Sequence, residues 1–194
     1  MFSPGGGGGP RAKTTKRPSG DQLGVASRLA AGRGRSAHVT GHISSAVASW
    51  AEFEALAPEF AARVRGLLLS RKHLTIATLR AGGAPRISGS EVEIADGQLR
   101  IGSMPGARKA QDLRRDPRIA IHGPTVDPPA GDPAAWIGET KLSGTAIEVE
   151  SGSSAHRFLI DIDEAVITHL NEAGNRLVVE SWNLKRGYRT LERE

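Results

Sequence analysis

The pattern of hydrophobic and polar positions becomes regular at Ser49 and predicts two helices. Ser49 and Glu52 have the spacing of a capping box, in which each side chain accepts a hydrogen bond from the other residue's backbone amide. One apolar face then follows with intervals of three and four residues, formed by Phe53, Leu56, Phe60, Val64 and Leu67 or Leu68. Pro58 interrupts this face. Because proline favours the first turn of a helix, we expect a second helix to begin there.

After this face the apolar spacing changes to two, which is typical of β-strands. A Gly-rich turn at 81–84 separates the first two strands, and Asp96-Gly97 predicts a tight hairpin before the third. The predicted elements of this part are strands at 73–80, 86–94, 98–102 and 118–122, with a short helix at 107–115. The helix is expected to end before Asp116-Pro117.

The second half of the chain begins with a Pro- and Gly-rich segment at 123–138, which predicts a long surface loop. The elements expected after it are a long strand at 139–150, a helix at 153–160, and strands at 165–171 and 176–182. The count is about seven strands, mostly joined by hairpins. This pattern indicates a mainly β fold, an antiparallel, Greek-key-like barrel with flanking helices, rather than a doubly wound parallel sheet.

Composition excludes several classes of site. The 194 residues include no cysteine, so the chain has no disulfide, thiolate metal site or cysteine nucleophile. His38 and His42 are four residues apart and could share a helical face, but they lie in a low-complexity segment, so no metal site is predicted. No apolar run approaches the roughly 20 residues that cross a bilayer. We therefore expect a soluble cytoplasmic protein that binds no membrane.

The net charge of +5 is concentrated at the N-terminus. Residues 1–48 contain seven basic side chains and one acidic side chain, whereas the remainder has 19 basic and 20 acidic residues. A nucleic-acid-binding domain is expected to carry its basic surface on the folded part, so we predict no specific nucleic-acid partner. An accessory role of the basic segment with nucleic acid is the alternative.

Residues 1–48 show no hydrophobic periodicity, and we expect a disordered basic tail followed by one domain at 49–194. The abrupt change of composition near Ser49 also raises the hypothesis that translation starts later than Met1. Val25, Val39 and Val47 could each be encoded by a GTG start. An intact mass of the native protein that includes residues 1–46 would refute this hypothesis.

The segment from Ile101 to Lys109 places two cations, Arg108 and Lys109, in the first turn of the predicted helix. A helix N-terminus carries a partial positive charge and favours acidic residues, so these cations are at the unfavourable end. A bound anion would remove the conflict, because free amides and two cations would converge on it. The alternative is that both side chains extend into solvent. The Arg71-Lys72 pair differs, since it follows a helix, where cations are expected.

A longer run resembles the cofactor-binding segment of the pyridoxamine 5′-phosphate oxidase-like split-barrel flavoproteins. It comprises Arg86-Ile-Ser-Gly-Ser-Glu91, then Gly-Ser-Met-Pro-Gly-Ala-Arg-Lys-Ala at 102–110 and Asp-Pro-Arg-Ile-Ala at 116–120. The resemblance covers roughly Trp50 to Glu194. It implies a split β-barrel of the FMN-binding type that binds FMN or a deazaflavin (coenzyme F-420). The oxidases proper have a lysine at the position of Glu91, a departure that argues against oxidation of pyridoxamine phosphate itself.

The resemblance also implies which residues contact the cofactor. They are Arg86, Ile87, Ser88, Gly102, Ser103, Arg108 and Lys109, with Trp182 and Arg186 near the C-terminus, where the family often uses the second subunit of a homodimer. Arg189 is the alternative to Arg186, and the alternative for Trp182 is that it closes the core of the barrel. A flavin or deazaflavin ring carries out hydride chemistry itself, so no catalytic side chain is required. We expect an oxidoreductase acting on a small organic molecule at a dimer interface. A non-catalytic module of the same fold that binds or stores flavin or heme is the alternative.

Overall fold

The computed structural model describes residues 47–151 and 155–193. Its helices are α1 (Trp50–Leu56), α2 (Pro58–Leu68) and α3 (Arg108–Arg115), and a short 3-10 helix spans Pro133–Ala135. The predicted capping box is confirmed: Glu52 accepts from the Ser49 amide at 2.8 Å, and the Glu52 amide donates to Ser49 Oγ at 3.3 Å. Pro58 begins α2, as its position predicted.

Nine strands accompany these helices in the described residues. They are β1 (Leu74–Leu79), β2 (Pro85–Ser90), β3 (Val92–Ala95), β4 (Gln98–Ser103), β5 (Arg118–His122), β6 (Glu139–Ser151), β7 (His156–Leu170), β8 (Leu177–Asn183) and β9 (Gly187–Arg193). All pair antiparallel in the order β2-β1-β5-β6-β7-β4-β3, with β8 on β7 and β9 on β8. β2 and β3 are the two ends of this path and do not pair with each other, so the barrel is open between them. The predicted antiparallel β fold with flanking helices is confirmed.

The hydrophobic core lies between the two N-terminal helices and the inner face of the sheet. Trp50 and Phe53 of α1 are completely buried, as are Val64 and Leu68 of α2. Strands β1, β4 and β7 contribute alternate side chains to the same core, in keeping with the two-residue period of a strand. Ala110 and Leu113 of α3 belong to the same core, so all three helices pack on the sheet through it.

A buried carboxylate, Glu180 of β8, joins three other elements. Arg63 of α2 donates to its two oxygens at 2.8 and 2.5 Å, and His169 Nε2 of β7 donates to Oε1 at 2.7 Å. The Tyr188 hydroxyl of β9 donates to it as well. Burial opposes the charge on Glu180, but these donors outweigh it, and its pKa is lowered. The network attaches the C-terminal hairpin to α2.

Three secondary-structure predictions were wrong. The predicted helix at 153–160 is instead the start of β7 from His156, because these residues pair with β4 from Ser103 to Leu99. The predicted strand at 86–94 is divided at Glu91 into β2 and β3. β9 was not predicted: it pairs only with β8, and its side chains are mostly exposed, so it lacks a buried alternating face.

The predicted tail at 1–48 lies almost entirely outside the described residues, as do His38, His42 and the candidate start positions Val25 and Val39. None of the helices in the described ranges combines the length and the apolar character that a membrane span requires.

Candidate functional site

Helix α3 begins without the groups that normally satisfy a helix N-terminus. Ala107 occupies the N-cap position, no side chain caps the helix, and its first turn contains no acidic residue. The first amides of the helix that donate to a backbone carbonyl are those of Ala110 and Gln111, both to Ala107. The amides of Arg108 and Lys109 have no backbone acceptor in the described part of the chain. The partial positive charge of the helix start is left for an anion.

The two cations in this first turn have different environments. Arg108 is exposed, and its one contact with a described residue is a long hydrogen bond of 3.4 Å to Gln111 Oε1. Lys109 instead extends to β2, where its ammonium donates to the Gly89 carbonyl at 2.9 Å and to Ser90 Oγ at 3.2 Å. Partial burial lowers the pKa of Lys109. Arg108 is available to a ligand, whereas Lys109 already connects α3 to β2.

Arg86 of β2 is also attached to α3, through Asp112. Arg86 Nε donates to Asp112 Oδ2 at 2.5 Å, and Thr78 of β1 donates to the same oxygen at 3.0 Å. Arg115 donates to Oδ1 at 3.0 Å. The hydrogen bond from Arg86 is the main cause that lowers the pKa of Asp112 to about 2, against the opposing effect of burial. Asp112 is four residues after Arg108, so the two lie on the same side of α3.

Ser103, at the end of β4, is 8 % exposed, and its Oγ is buried without a hydrogen-bond partner in the described part of the chain. A buried hydroxyl without a partner is costly, which makes this group a candidate for binding a ligand. Gly102, beside it, is exposed, and a Cβ added there would have no atom within 4 Å. The end of β4 thus has both an unused polar group and free space.

Ile87 and Arg86 point to opposite faces of β2, because successive side chains of a strand alternate. Ile87 is 76 % exposed and lines an open apolar groove of about 360 Å³ with Ala77, Ala120 and Leu142. Ser88 is on the same face as Arg86 and is partly buried. Two surfaces are therefore present on either side of β2: a polar one at α3 and an apolar one on the outer sheet face.

Trp182 and Arg186 do not join either surface within one protomer. Trp182 is 2 % exposed and packs on Phe53, with the ring centroids 4.6 Å apart. Trp182 is therefore a core residue of this protomer, and its contact with a cofactor stays a prediction. Arg186 donates to Glu164 at 2.9 Å and lines a separate polar cavity of about 220 Å³ with Asp163 and Asn183.

Asp112, Thr78 and Ser90 were not identified from the sequence. Asp112 lies between Ala110 and Leu113, the apolar positions of α3 that are buried. A carboxylate on the buried side of a helix needs a partner, and this was the signal available in the sequence. The partners Thr78 and Arg86 are 34 and 26 residues away, so local spacing did not reveal them.

The family model described as pyridoxamine 5′-phosphate oxidase matches residues 60–180. No curated protein matches the chain.

The chain is similar to the solved structure of a pyridoxamine 5′-phosphate oxidase-related, FMN binding protein from Nostoc punctiforme PCC 73102, with a TM-score of 0.50 and 12 % sequence identity. The match covers 75 % of this chain and 99 % of that protein. It is also similar to PhzG from Burkholderia lata 383 in complex with tetrahydrophenazine-1-carboxylic acid, with a TM-score of 0.50 and 10 % sequence identity. That match covers 75 % of this chain and 93 % of PhzG. At such identities the two likenesses show the fold alone.

The lowered pKa of Asp112 predicts that the free energy of unfolding decreases at acid pH. Its value of about 2 is below the ordinary 3.8, so the ion pairs of Asp112 contribute fully above about pH 4 and are lost as the pH falls towards 2. We expect Asp112→Asn to be less stable than the parent at neutral pH, with the difference shrinking over this interval. Urea unfolding at a series of pH values measures it, and a difference that stays constant from pH 6 to the acid end would contradict the assignment.

Proposed function

The chain belongs to the pyridoxamine 5′-phosphate oxidase family, and on this premise we propose that it binds FMN or a deazaflavin coenzyme as an oxidoreductase of small organic molecules. The observation that carries the proposal is the uncapped start of α3, with unpaired amides and the exposed cation Arg108. A phosphate supplies the charge and the acceptor oxygens that this helix start lacks.

The residues around α3 fit the phosphate end of such a cofactor. Arg86 uses only its Nε for Asp112, so its two terminal nitrogens have no hydrogen-bond partner among the described residues. Ser103 Oγ is buried and has no hydrogen-bond partner among the described residues. Ser103 ends β4 and directly precedes the loop that leads into α3. In the proposed site, Arg86, Ser88, Ser103 and Arg108 bind the phosphate and the polyol chain, and Lys109 holds α3 on β2.

The bound flavin or deazaflavin would supply hydride transfer to or from the substrate. The chain's own contribution is to bind and orient the cofactor and to exclude water from it. Ile87 and Ala120 present an apolar surface suited to a flat ring, and Gly102 leaves room beside the end of β4. We assign no proton-transferring side chain. The substrate is proposed only as a small organic molecule.

The proposal includes a homodimer in which a second copy of the chain covers the apolar groove beside Ile87. The support is that Ile87 is largely exposed on an apolar sheet face, where a second apolar surface would remove it from water. Light scattering of the purified protein is expected to give twice the mass of one chain. A mass of one chain at all micromolar concentrations would contradict this part.

The central test is cofactor binding by a double variant, Arg108→Ala with Lys109→Ala. A charge-assisted hydrogen bond contributes about 1.5–3 kcal/mol, so losing the Arg108 contact should weaken FMN or deazaflavin binding about 10- to 100-fold. Losing Lys109, which holds α3 on β2, should weaken it further. Fluorescence titration of both cofactors against the variant and the parent measures this, with thermal melting to confirm that the fold persists.

The chain offers a matched control in its second Arg-Lys pair. Arg71→Ala with Lys72→Ala removes the same charge beyond the end of α2, where Lys72 pairs with Glu91 rather than with a residue of α3, and is expected to bind as the parent does. Equal affinities for all three proteins would remove the site assignment. A parent that binds neither cofactor and instead shows a heme Soret band would favour the heme-binding module.

A further inference from the structure

The carboxylate of Asp112 is buried on α3, yet the proposed cofactor contacts do not include it. Its side chain accepts hydrogen bonds from three elements: Thr78 of β1, Arg86 of β2, and Arg115 in the last turn of α3 itself. Asp112 is only 3 % exposed. A ligand phosphate and this carboxylate would repel each other, so any influence of Asp112 on the cofactor must act through a neighbour.

Arg86 is the neighbour that can transmit such an influence. Asp112 engages the guanidinium at Nε alone, so neither terminal nitrogen is bonded to Asp112. The guanidinium is planar and its five donors form a rigid fork, so fixing one edge fixes the direction of the others. Arg86 retains 21 % of its side-chain surface in contact with solvent, so part of the fork is accessible to a ligand.

The carboxylate is itself held in one orientation. Thr78 donates to the oxygen that Arg86 uses, and Arg115 donates to the other oxygen. Arg115 also donates to the Leu79 carbonyl of β1 at 2.5 Å, which anchors this third partner to the sheet. With both oxygens engaged, rotation of Asp112 would break several hydrogen bonds of a buried charge at once.

We propose that Asp112 is a positioning residue for Arg86, which holds the terminal nitrogens of its guanidinium towards the phosphate of the cofactor. This inference rests on the proposed function and adds to it a residue that makes no contact with the cofactor. The competing role is purely structural, in which Asp112 only fastens α3 to the sheet. The two roles differ in one consequence: positioning acts through Arg86 alone, so its effect disappears when Arg86 is absent, whereas fastening also acts through the amides and Arg108 of α3.

The test compares FMN with riboflavin, which has the same ring and polyol chain without the phosphate. Asp112→Asn keeps the shape of the side chain but removes its charge. We expect about a tenfold loss of FMN affinity, the lower end of what loss of an orienting partner costs a metal ligand. Riboflavin affinity should stay at the parent value. If the parent binds only the deazaflavin coenzyme, that coenzyme and its phosphate-free form replace the pair.

Arg115→Gln is the matched control, because it removes the ion pair at Oδ1 of the same carboxylate and leaves Thr78 and Arg86 both bonded to Oδ2. It is expected to lower the melting temperature and to leave the ratio of FMN to riboflavin affinity unchanged. In an Arg86→Ala background, Asp112→Asn should cause no further loss of FMN affinity, since the group that it positions is absent. If Asp112→Asn does not fold, Thr78→Val, which frees the carboxylate beside Arg86, takes its place with a smaller loss confined to FMN.

The outcomes separate this inference from the proposed function. A parent that binds FMN, with Asp112→Asn losing FMN and riboflavin affinity equally or losing neither, would overturn the positioning role and leave the proposed function standing. Equal effects of Asp112→Asn and Arg115→Gln on the affinity ratio would also overturn it. A parent that binds neither cofactor would overturn both the proposed function and the inference.

Discussion

One buried carboxylate determines how helix α3 sits on the sheet. Asp112 accepts from Thr78 and Arg86 on neighbouring strands, and Lys109 adds a second connection from the start of the helix to Gly89 and Ser90. A buried charge tolerates little displacement, because each lost partner leaves it uncompensated. The helix is therefore fixed along β2 in one register, and its uncapped first turn has a defined position relative to Arg86.

This arrangement resolves the electrostatic conflict in the sequence in two different ways. Lys109 is satisfied within the protein by a carbonyl and a hydroxyl, whereas Arg108 and the first helical amides have no comparable acceptor. The conflict at the helix start is thus reduced to one exposed cation and a set of free donors. Together with the unpaired Ser103 Oγ, these are the groups that the proposed phosphate site uses.

Local chemistry made much of the fold predictable. The capping box at Ser49, the break at Pro58, the Asp96-Gly97 hairpin and the helix before Asp116 all depend on residues within a few positions of one another. The start of β7 was mistaken for a helix, although it pairs with β6 on one side and with β4, more than 50 residues earlier, on the other, because local spacing revealed neither pairing. β9 escaped notice because it has one neighbour and mostly exposed side chains, so burial imposes no alternation on it.

The same distinction applies to the site. The cations of α3 were visible in the sequence because helix-end electrostatics is a local rule, whereas Asp112 acquires its role only when β1 and β2 are brought beside the helix. Trp182 was assigned by resemblance, and its contact with Phe53 in the core was not visible from local spacing, because the two residues are far apart in the sequence.

A crystal structure of the protein with FMN bound tests the central claim most directly. The account predicts phosphate oxygens within about 2.7–3.2 Å of the terminal nitrogens of Arg86 and of the first amides of α3, with Arg86 Nε still on Asp112. A phosphate bound away from the start of α3, or an Arg86 released from Asp112 to reach it, would contradict the account.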